Sequence, residues 1–305
     1  MNERRPAVSV LLVTYNHAKF VAEALDSILM QQADFDFEIV AADDGSTDGT
    51  IDIIRNYADK DCRIRLLSCE SNLGITRNYQ RGFEACRGDY VAVLEGDDYW
   101  ISPRKLQLTA RFLDRNPTCS FCFHRLIRYD PHPETLRVFP QHWTVEQYLT
   151  ARELAAGNFI GNFSTCVYRR ALIVRLKPEL WDLDIREWPF NIVMAEQGAI
   201  GYVPHILSVY RAHEGGISSL KSNQELYDDL RPLVESYDKF LNYKYTEQLQ
   251  KMLDKARLSV ASNPANRFYP AIRFYPAITF YWRIRIWIAQ RLPRRLKNRL
   301  KAFVR

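Results

Sequence analysis

Apolar and polar residues follow two different periods along the first 125 residues of the chain. Four short runs are apolar on both faces, as buried strands are: VSVLLVT (8–14), FEIVAA (37–42), IRLLS (64–68) and DYVAVLE (89–95). Between the first two runs, AKFVAEALDSILMQ (18–31) has apolar residues at three- and four-residue spacing, which predicts an amphipathic helix. Doubly apolar strands separated by helices predict an α/β fold with a mostly parallel sheet that helices cover on both faces.

The same periods continue, less regularly, towards the end of the chain. Further helices are predicted at 50–58, 76–86, 102–113, 145–156 and 187–198, and further strands at 163–170, 199–204 and 206–213. Ser102 and Pro103 have the residue types of an N-cap and a first turn, and Gly198 has that of a helix end. Residues 221–257 are polar with helical periodicity, which predicts a helical extension after the sheet.

Polar clusters follow three of the predicted strands directly. They read TYNH (14–17), DDGSTD (43–48) and EGDD (95–98). In open sheets of this class, ligands bind beyond the carboxyl ends of the strands, and core packing does not require polar residues there. The three clusters therefore predict an active site along one edge of the sheet.

The EGDD cluster places Glu95, Asp97 and Asp98 within four positions. Carboxylates so close repel one another unless a positive group or water separates them. Magnesium and manganese bind through one or two carboxylates together with substrate phosphates, so the cluster indicates a divalent-cation site. Ordinary solvated turn residues are the alternative.

The DDGSTDGT stretch (43–50) permits two interpretations. Ser46, Thr47 and Asp48 suit a turn that leads into a capped helix. Alternatively, Asp43 or Asp44 accepts hydrogen bonds from a nucleotide base or ribose. A nicotinamide dehydrogenase is disfavoured, because TYNHA occupies the place of the required G-x-G-x-x-G.

Charge is distributed unevenly along the chain, whose formal net charge is +6. Residues 267–305 hold 11 Lys or Arg and no Asp or Glu, whereas the residues before them hold 31 basic and 36 acidic side chains. Apolar positions in this tail recur at helical spacing with Trp and Tyr among them, which is typical of a segment that binds a membrane surface. Packing on the fold or a subunit interface is the alternative, and nucleic acid is not the expected partner.

Neither the N-terminus nor any internal run indicates secretion or membrane spanning. MNERRPAVSV lacks the apolar stretch of a signal peptide, and no run reaches the roughly 18 to 20 apolar residues of a transmembrane helix. We therefore expect a cytoplasmic protein, peripheral on the inner face of the membrane, with its six cysteines reduced. Cys119 and Cys122 form a CxxC in an apolar run, which favours buried strand thiols over zinc ligands.

The order of the motifs resembles that of the family 2 glycosyltransferases, which are inverting enzymes with the GT-A fold. The matching pieces are VSVLLVTYNHAKFVAEALDSIL, EIVAADDGSTDGT, NLGITRNYQRGFEACRGDYVAVLEGDD and YVPHILSVYRAHEGG. The resemblance implies a GT-A domain over 1–215, with a nucleotide-binding half to about residue 100 and an acceptor half over 101–215. A helical extension (216–266) and the basic tail (267–305) would follow.

The resemblance also implies roles for individual residues. Asp98 would ligate a divalent cation, Mn2+ or Mg2+, and His213 would contact the cation or a phosphate. The residues implied to bind the nucleotide sugar are Thr14, Tyr15, Asn16, Asp43, Asp44, Asn72, Gly74, Arg77, Asn78, Asp97 and Arg211. Asn162 and Ser164 fall where similar enzymes line the acceptor pocket.

A general base is needed to take the proton of the acceptor hydroxyl. Similar enzymes use an Asp before a Trp at a helix start, and the corresponding place here reads DIREWPFN (184–191). Glu187 is the nearest match, and Asp182 and Asp184 are competitors. An acid that stabilises a helix N-terminus is the alternative reading of Glu187.

Together the motifs predict a metal-dependent inverting glycosyltransferase that adds one sugar, in surface polysaccharide or lipopolysaccharide assembly. The donor would be a nucleoside diphosphate sugar, with a UDP-sugar favoured, and the acceptor a glycan or a lipid-linked molecule. The Q-x-x-R-W signature of processive synthases is absent from the sequence. A non-catalytic nucleotide-sugar binding protein and a sugar-nucleotide pyrophosphorylase are the alternatives, and an oligomer is possible.

Overall fold

A computed structural model of the protein describes residues 5–131, 134–141, 143–216 and 221–262. All of them belong to one compact unit of the chain. The basic tail predicted over 267–305 lies outside the described residues, so its membrane role stays a prediction. The predicted divisions at residues 100, 215 and 266 also stay predictions.

A single mixed sheet with flanking helices organises the described part of the chain. Its strands are β1 (Val8–Thr14), β2 (Phe37–Asp43), β3 (Ile64–Leu67), β4 (Tyr90–Glu95), β5 (Tyr99–Trp100), β6 (Cys119–Pro131), β7 (Glu134–Phe139), β8 (Gln147–Leu149), β9 (Val167–Arg169) and β10 (Ala199–Arg211). The helices are α1 (Val21–Leu29), α2 (Thr50–Ala58), α3 (Ile75–Ala85), α4 (Lys105–Arg115), α5 (Ala151–Ala155), α6 (Arg170–Ile173), α7 (Glu187–Ala195), α8 (Asn223–Phe240) and α9 (Thr246–Ser262).

The strand order brings the three polar clusters together. It runs β3-β2-β1-β4-β9-β6-β10-β5, with β7 paired to β6 and β8 to β10. Strand β1 lies parallel between β2 and β4, so that Thr14 is opposite Asp43 and Val13 is opposite Glu95. The clusters after these strands therefore meet at one edge, as predicted.

Both faces of the sheet are covered by apolar side chains. Along β1, Leu11 and Val13 pack into one buried cluster, and Val10 and Leu12 pack into the other. The doubly apolar strand pattern is thus explained by helices on each face. The predicted α/β sheet with flanking helices and a helical extension is confirmed, and it is a mixed sheet in which β1 to β4 pair in parallel and β5, β7, β8 and β9 pair antiparallel.

Helix α4 begins at Lys105, and the Ser102 hydroxyl, predicted to cap its start, accepts the Arg104 N–H at 3.2 Å. Gln31, two residues after α1, adds further interactions from across the fold. Its amide oxygen accepts from the Leu106 N–H at 3.1 Å, and its amide nitrogen donates to the Ser102 carbonyl at 2.7 Å. A helix N-terminus needs acceptors for its free N–H groups, and here a distant residue provides one.

The second half departs further from prediction. The helix predicted over 145–156 is the short strand β8 followed by α5, which begins with a capping box at Thr150 and Glu153. The two strands predicted over 199–213 are one strand, β10, whose pairing with β6 shifts register between Val203 and Ile206. Within the part of the chain that the structure covers, no helix is both long and apolar enough to cross a membrane.

Candidate active site

Asp43 fixes the end of β2 to the end of β1. Its side chain is fully buried and accepts a hydrogen bond from the Thr14 hydroxyl at 2.9 Å. The Ser46 hydroxyl and N–H donate to the same carboxylate at 2.6 and 2.9 Å. Asp43 and Thr14 therefore shape the site by holding the two loops together.

The TYN and DDGS loops also interlock through Asn16. Its backbone lies in the left-handed region (φ 55°), which asparagine tolerates better than most residues. The Asn16 N–H donates to the Ser46 hydroxyl at 2.8 Å, and its side-chain oxygen accepts from the Thr47 N–H at 2.9 Å. This sharp turn leaves the Tyr15 ring 45% exposed beside the site.

Asp44 faces the segment that precedes α3. One carboxylate oxygen accepts the Leu73 N–H at 2.8 Å, and the other has no hydrogen-bond partner among the described residues. Asp44 can reach Leu73 because the backbone at Gly45 (φ 70°) lies against the backbone at Ser71. A Cβ on Gly45 would be only 2.7 Å from the Ser71 carbonyl carbon. Asn72 stabilises the same segment by accepting the Gly74 N–H at 2.8 Å.

The buried Asn78 and the partly buried Arg81 support these loops from beneath. The Asn78 amide donates to the Ala42 carbonyl at 3.0 Å and accepts from Arg81 Nε at 2.9 Å. Arg81 also donates to the Asp43 carbonyl. Arg81 was not predicted as a site residue, although its three-residue spacing from Asn78 on a helix was a usable signal. Arg77, by contrast, is exposed.

The EGDD turn is packed tightly against the end of β1. A Cβ on Gly96 would lie 2.5 Å from Thr14 Cγ2 and 2.9 Å from His17 Nδ1, so only glycine fits there. The turn consequently presents its carboxylates at fixed positions. His17 was not among the predicted site residues, although it directly follows TYN.

Asp98 is completely buried. Its carboxylate accepts hydrogen bonds from the Asn162 amide, from the Ser164 hydroxyl at 2.6 Å and from the Arg211 N–H at 2.9 Å. Burial, with the neighbouring Asp97 charge, raises the pKa of Asp98 to about 8. These contacts join the EGDD turn to the end of β10, and Asn162 and Ser164, predicted at the acceptor pocket, lie against this carboxylate.

Asp97 and His213 form the more accessible pair of the cluster. Asp97 Oδ2 lies 2.9 Å from His213 Nε2 and 3.8 Å from His17 Nε2. Burial opposes the charge of Asp97, but the hydrogen bond from His213 and the nearby His17 outweigh it and lower the pKa of Asp97. The site thus holds one carboxylate and two imidazoles with side chains 15 to 18% exposed.

The guanidinium of Arg211 does not join this pair. It forms an ion pair with Glu23 at 2.5 Å and lies over the rings of Phe20 and Tyr99, 4.7 and 4.9 Å from their centroids. Its described contribution to the site is the backbone N–H that Asp98 accepts. The predicted phosphate contact of Arg211 stays a prediction.

Glu187 completes the group of acids. It is the half-buried first residue of α7, and its carboxylate accepts from the Asn158 amide at 2.8 Å. Burial raises the pKa of Glu187. Burial also raises the pKa of Glu95 well above its usual range, and the charges of Asp98, Asp97 and Glu187 add to this effect.

The other candidate bases are placed differently. Asp182 and Asp184 are exposed, with 69% and 51% of their side chains accessible, and each is paired with an arginine. Asn158, which holds Glu187, was missed because it lies 29 residues away in the sequence, next to no recognised motif. Tyr79, whose hydroxyl donates to Glu95 at 3.1 Å, was missed although it lies within a recognised motif and directly follows Asn78.

No cluster of three or more His, Cys, Asp or Glu side chains within the described ranges has the arrangement of a self-sufficient metal site. The Asp97–His213 pair could supply two ligands at most, with the rest from substrate and water. Ligands at 2.0–2.1 Å in octahedral geometry lie about 3 Å apart, which the 2.9 Å between Asp97 Oδ2 and His213 Nε2 fits.

A family model described as Glycosyl transferase family 2 matches residues 9–176. Among curated proteins, the chain is 34% identical to Uncharacterized protein Rv1520 of Mycobacterium tuberculosis over 216 residues. This alignment covers 69% of the chain but only 60% of the length of Rv1520.

Solved structures show the same fold. S. aureus TarS in complex with UDP-GlcNAc superposes with a TM-score of 0.57 and 24% identity, over 74% of this chain and 65% of that one. The mannosyltransferase PcManGT from Pyrobaculum calidifontis, in complex with GDP-Man and Mn2+, gives a TM-score of 0.55 and 18% identity, over 86% of this chain and 76% of that one. The sequence matches and these structures together show that the protein belongs to glycosyl transferase family 2 and has the GT-A fold.

Proposed function

We propose that the protein is a cation-dependent, inverting glycosyltransferase that moves one sugar from a nucleoside diphosphate sugar to an acceptor hydroxyl. The observation that carries this proposal is the meeting of the Asp97–His213 pair and Glu187 around Glu95 at one edge of the sheet. The Asp97–His213 pair suits the binding of a cation with a diphosphate, and Glu187 suits proton transfer. The family assignment supports the reaction class.

The donor nucleotide would bind at the ends of β1 and β2. The free oxygen of Asp44 can accept a base N–H, and the exposed Tyr15 ring offers a stacking surface. Asn72 and Gly74 would line the same pocket, with Arg77 at its rim. The complexes of TarS with UDP-GlcNAc and of PcManGT with GDP-Man support this donor class, and we retain a UDP-sugar as the expected donor.

Asp97 and His213 would hold the divalent cation, Mn2+ or Mg2+. This assignment exchanges the roles that the resemblance implied for the two aspartates, because Asp98 is buried and accepts three hydrogen bonds from protein groups. Such a cation, when bound, stabilises the charge of the departing diphosphate. The Mn2+ in the PcManGT complex supports cation dependence.

Glu187 would act as the general base. Its raised pKa makes the carboxylate a better proton acceptor near neutral pH, and the Asn158 amide holds its orientation. The acceptor oxygen would bond to the anomeric carbon as its proton passes to Glu187, while the bond from that carbon to the diphosphate breaks. A single displacement of this kind inverts the anomeric configuration.

The acceptor would be a glycan or a lipid-linked molecule, brought to the enzyme at a membrane surface by the basic tail over 267–305. Its 11 basic side chains and absence of acids support this hypothesis. Flotation with anionic liposomes tests it. The full chain should float and a chain ending at residue 266 should not, and equal flotation of both would refute it.

A nucleotide screen tests the central proposal. Thermal unfolding would be measured with UDP-, GDP- and other nucleoside diphosphate sugars, each with Mn2+, Mg2+ or EDTA. We expect one donor to raise the melting temperature, and to do so only when the cation is present. A ligand that binds the folded state selectively stabilises it against unfolding. Release of the nucleoside diphosphate and the anomeric configuration of the product would then be measured. Stabilisation without turnover would favour the non-catalytic binding protein, and stabilisation by no donor would refute both.

A further inference from the structure

One side-chain hydroxyl connects two parts of the chain that are more than 100 residues apart. Thr76 Oγ1, in the first turn of α3, donates to the Leu183 carbonyl at 3.0 Å. The same oxygen accepts the Ile185 N–H, also at 3.0 Å. A hydroxyl that donates and accepts at once fixes both the distance and the orientation of the loop it contacts.

The first of these parts is the segment proposed to bind the donor. Helix α3 begins directly after Gly74, and the Leu73 N–H before it is bound by Asp44 at 2.8 Å. Thr76 therefore lies two residues beyond a segment anchored to the nucleotide pocket. The Thr76 hydroxyl thus lies within the first helical turn after that segment.

The second part is the loop that leads to the proposed base. Ile185 is two residues before Glu187, which begins α7. The backbone of this loop thus sets where the Glu187 Cα lies, while Asn158 orients the carboxylate. The Ile185 side chain is buried in the core, and the loop's other polar side-chain anchors lie further from Glu187 or are exposed. Tyr237 donates to the Asp184 carbonyl at 3.3 Å, and Arg77 meets Asp182 in a solvent-exposed ion pair.

We propose that Thr76 is a positioning residue for the transfer step, which couples the donor-binding segment to the loop that carries the general base. The inference rests on the proposed role of Glu187. Thr76 does not contact the reacting atoms and acts through the loop at 183–185. A base displaced by about 1 Å can lose up to about 100-fold in rate, so one lost anchor is enough to be measured.

Thr76→Val removes the hydroxyl and keeps the branched shape of the side chain. We expect kcat for cleavage of the donor, measured as nucleoside diphosphate release with water as acceptor, to fall about tenfold or more. The dissociation constant for the nucleoside diphosphate with Mn2+, measured by calorimetry, should change less than about twofold, because the direct donor contacts remain. Hydrogen exchange of the 183–187 amides should be faster, since the Ile185 N–H loses its acceptor.

Two matched variants separate positioning from general stability. Thr76→Ser retains the hydroxyl and should restore kcat and the slow exchange. Thr109→Val removes a fully buried hydroxyl elsewhere, which bonds within α4 to the Lys105 carbonyl at 2.8 Å, and should lower stability while leaving kcat unchanged. If Thr76→Val fails to fold, Thr76→Ala should show the same loss of kcat.

The outcomes distinguish this inference from the proposed function. Wild-type protein that cleaves no nucleotide sugar would refute the function. Active wild-type protein with an equally active Thr76→Val variant would refute the positioning role alone. A fall in nucleotide affinity with unchanged kcat would also overturn it, because Thr76 would then serve donor binding only.

Discussion

At the edge where β1, β2 and β4 begin, a buried carboxylate is fully paired, whereas at the edge where they end the acids outnumber their cationic partners. Glu38 accepts from the Ser9 hydroxyl at 2.6 Å and the Arg87 N–H at 2.8 Å, and its other oxygen meets the Arg87 guanidinium at 2.9 Å. At the opposite edge, Glu95, Asp97 and Asp98 share two imidazoles and neutral hydrogen-bond donors.

The pKa directions at the two edges differ accordingly. Burial by itself would raise the pKa of Glu38, but hydrogen bonds from Ser9 and Arg87 and the Arg87 charge lower it. Glu95 and Asp98, buried beside further acids, have raised pKa values. Paired charge at one edge indicates a structural role, and unpaired charge at the other indicates a place for a ligand.

Cavity volume does not make this distinction. A cleft of about 910 Å3 opens at the beginning of the strands, and Glu38, Arg87 and Gln107 are among its lining residues. The buried carboxylate of this cleft, Glu38, is already paired with Arg87. The unbalanced charge and the family motifs lie at the opposite edge, so we place the active site there.

Glu187→Gln should have the largest effect on the catalytic edge. The amide keeps the shape and can still accept from Asn158, but it cannot take a proton. We expect the transfer rate to fall about 1,000-fold, within the range of general-base catalysis, with unchanged nucleotide affinity. Steady-state kinetics and calorimetry would measure both.

Glu196→Gln is the matched control for this change. Glu196 lies at the other end of α7, where it pairs with Lys244 at 2.7 Å, and its loss should leave the transfer rate unaltered. A Glu187→Gln variant with the full rate would show that the acid cluster at this edge has another purpose.

Asp97→Asn and Asp98→Asn should separate the two adjacent acids. Asp97→Asn removes a proposed cation ligand, so cation-dependent stabilisation by the nucleotide should disappear and the transfer rate should fall about 100-fold, with little change in melting temperature. Asp98→Asn places an amide against the donors of Asn162, Ser164 and Arg211, and should cost about 1–3 kcal/mol of unfolding free energy.

Titration of Mn2+ against each variant, followed by thermal unfolding, measures these effects. Loss of cation dependence in Asp98→Asn at wild-type stability, with cation dependence kept in Asp97→Asn, would restore the roles that the sequence resemblance implied.

The difference between these aspartates also shows where sequence-based prediction reached its limit. The EGDD cluster and its place at the sheet edge followed from strand patterns, because a doubly apolar run such as VSVLLVT has few other readings. Adjacent residues of a turn point in different directions, however, and only the contacts of Asp98 with β10 and with Ser164 show which one is buried.

The second half was harder to predict for a related reason. Strand β8 has three residues and exists because it pairs with β10, about 50 positions later. One acceptor at the start of α4 likewise comes from Gln31, 75 positions earlier in the chain. Local periodicity carries no record of such long-range partners, and the same holds for the contact of Asn158 with Glu187.

Glu38→Gln should affect stability and leave catalysis intact. The change puts an amide NH2 in place of one oxygen of a carboxylate that is 7% exposed and accepts from the buried Ser9 hydroxyl and from Arg87. We expect the free energy of unfolding in urea to fall by about 2 kcal/mol, the usual cost of leaving such a group unsatisfied. The transfer rate should stay within about twofold of wild type. A large loss of activity at unchanged stability would mean that the two edges are functionally connected.

The smallest expected effect is the pH dependence of the Glu38 pair. Because hydrogen bonds and the Arg87 charge lower the folded pKa of Glu38 below its unfolded value of about 4.3, its contribution is complete above that value and is lost as the pH falls through the folded pKa. The difference in unfolding free energy between wild type and Glu38→Gln should therefore be constant above about pH 6 and shrink as the pH falls through the folded pKa of Glu38. Urea unfolding at a series of pH values measures this difference. If it grew on acidification, the pKa of Glu38 would be raised in the folded protein, as it is for Glu95, and pairing would no longer distinguish the two edges.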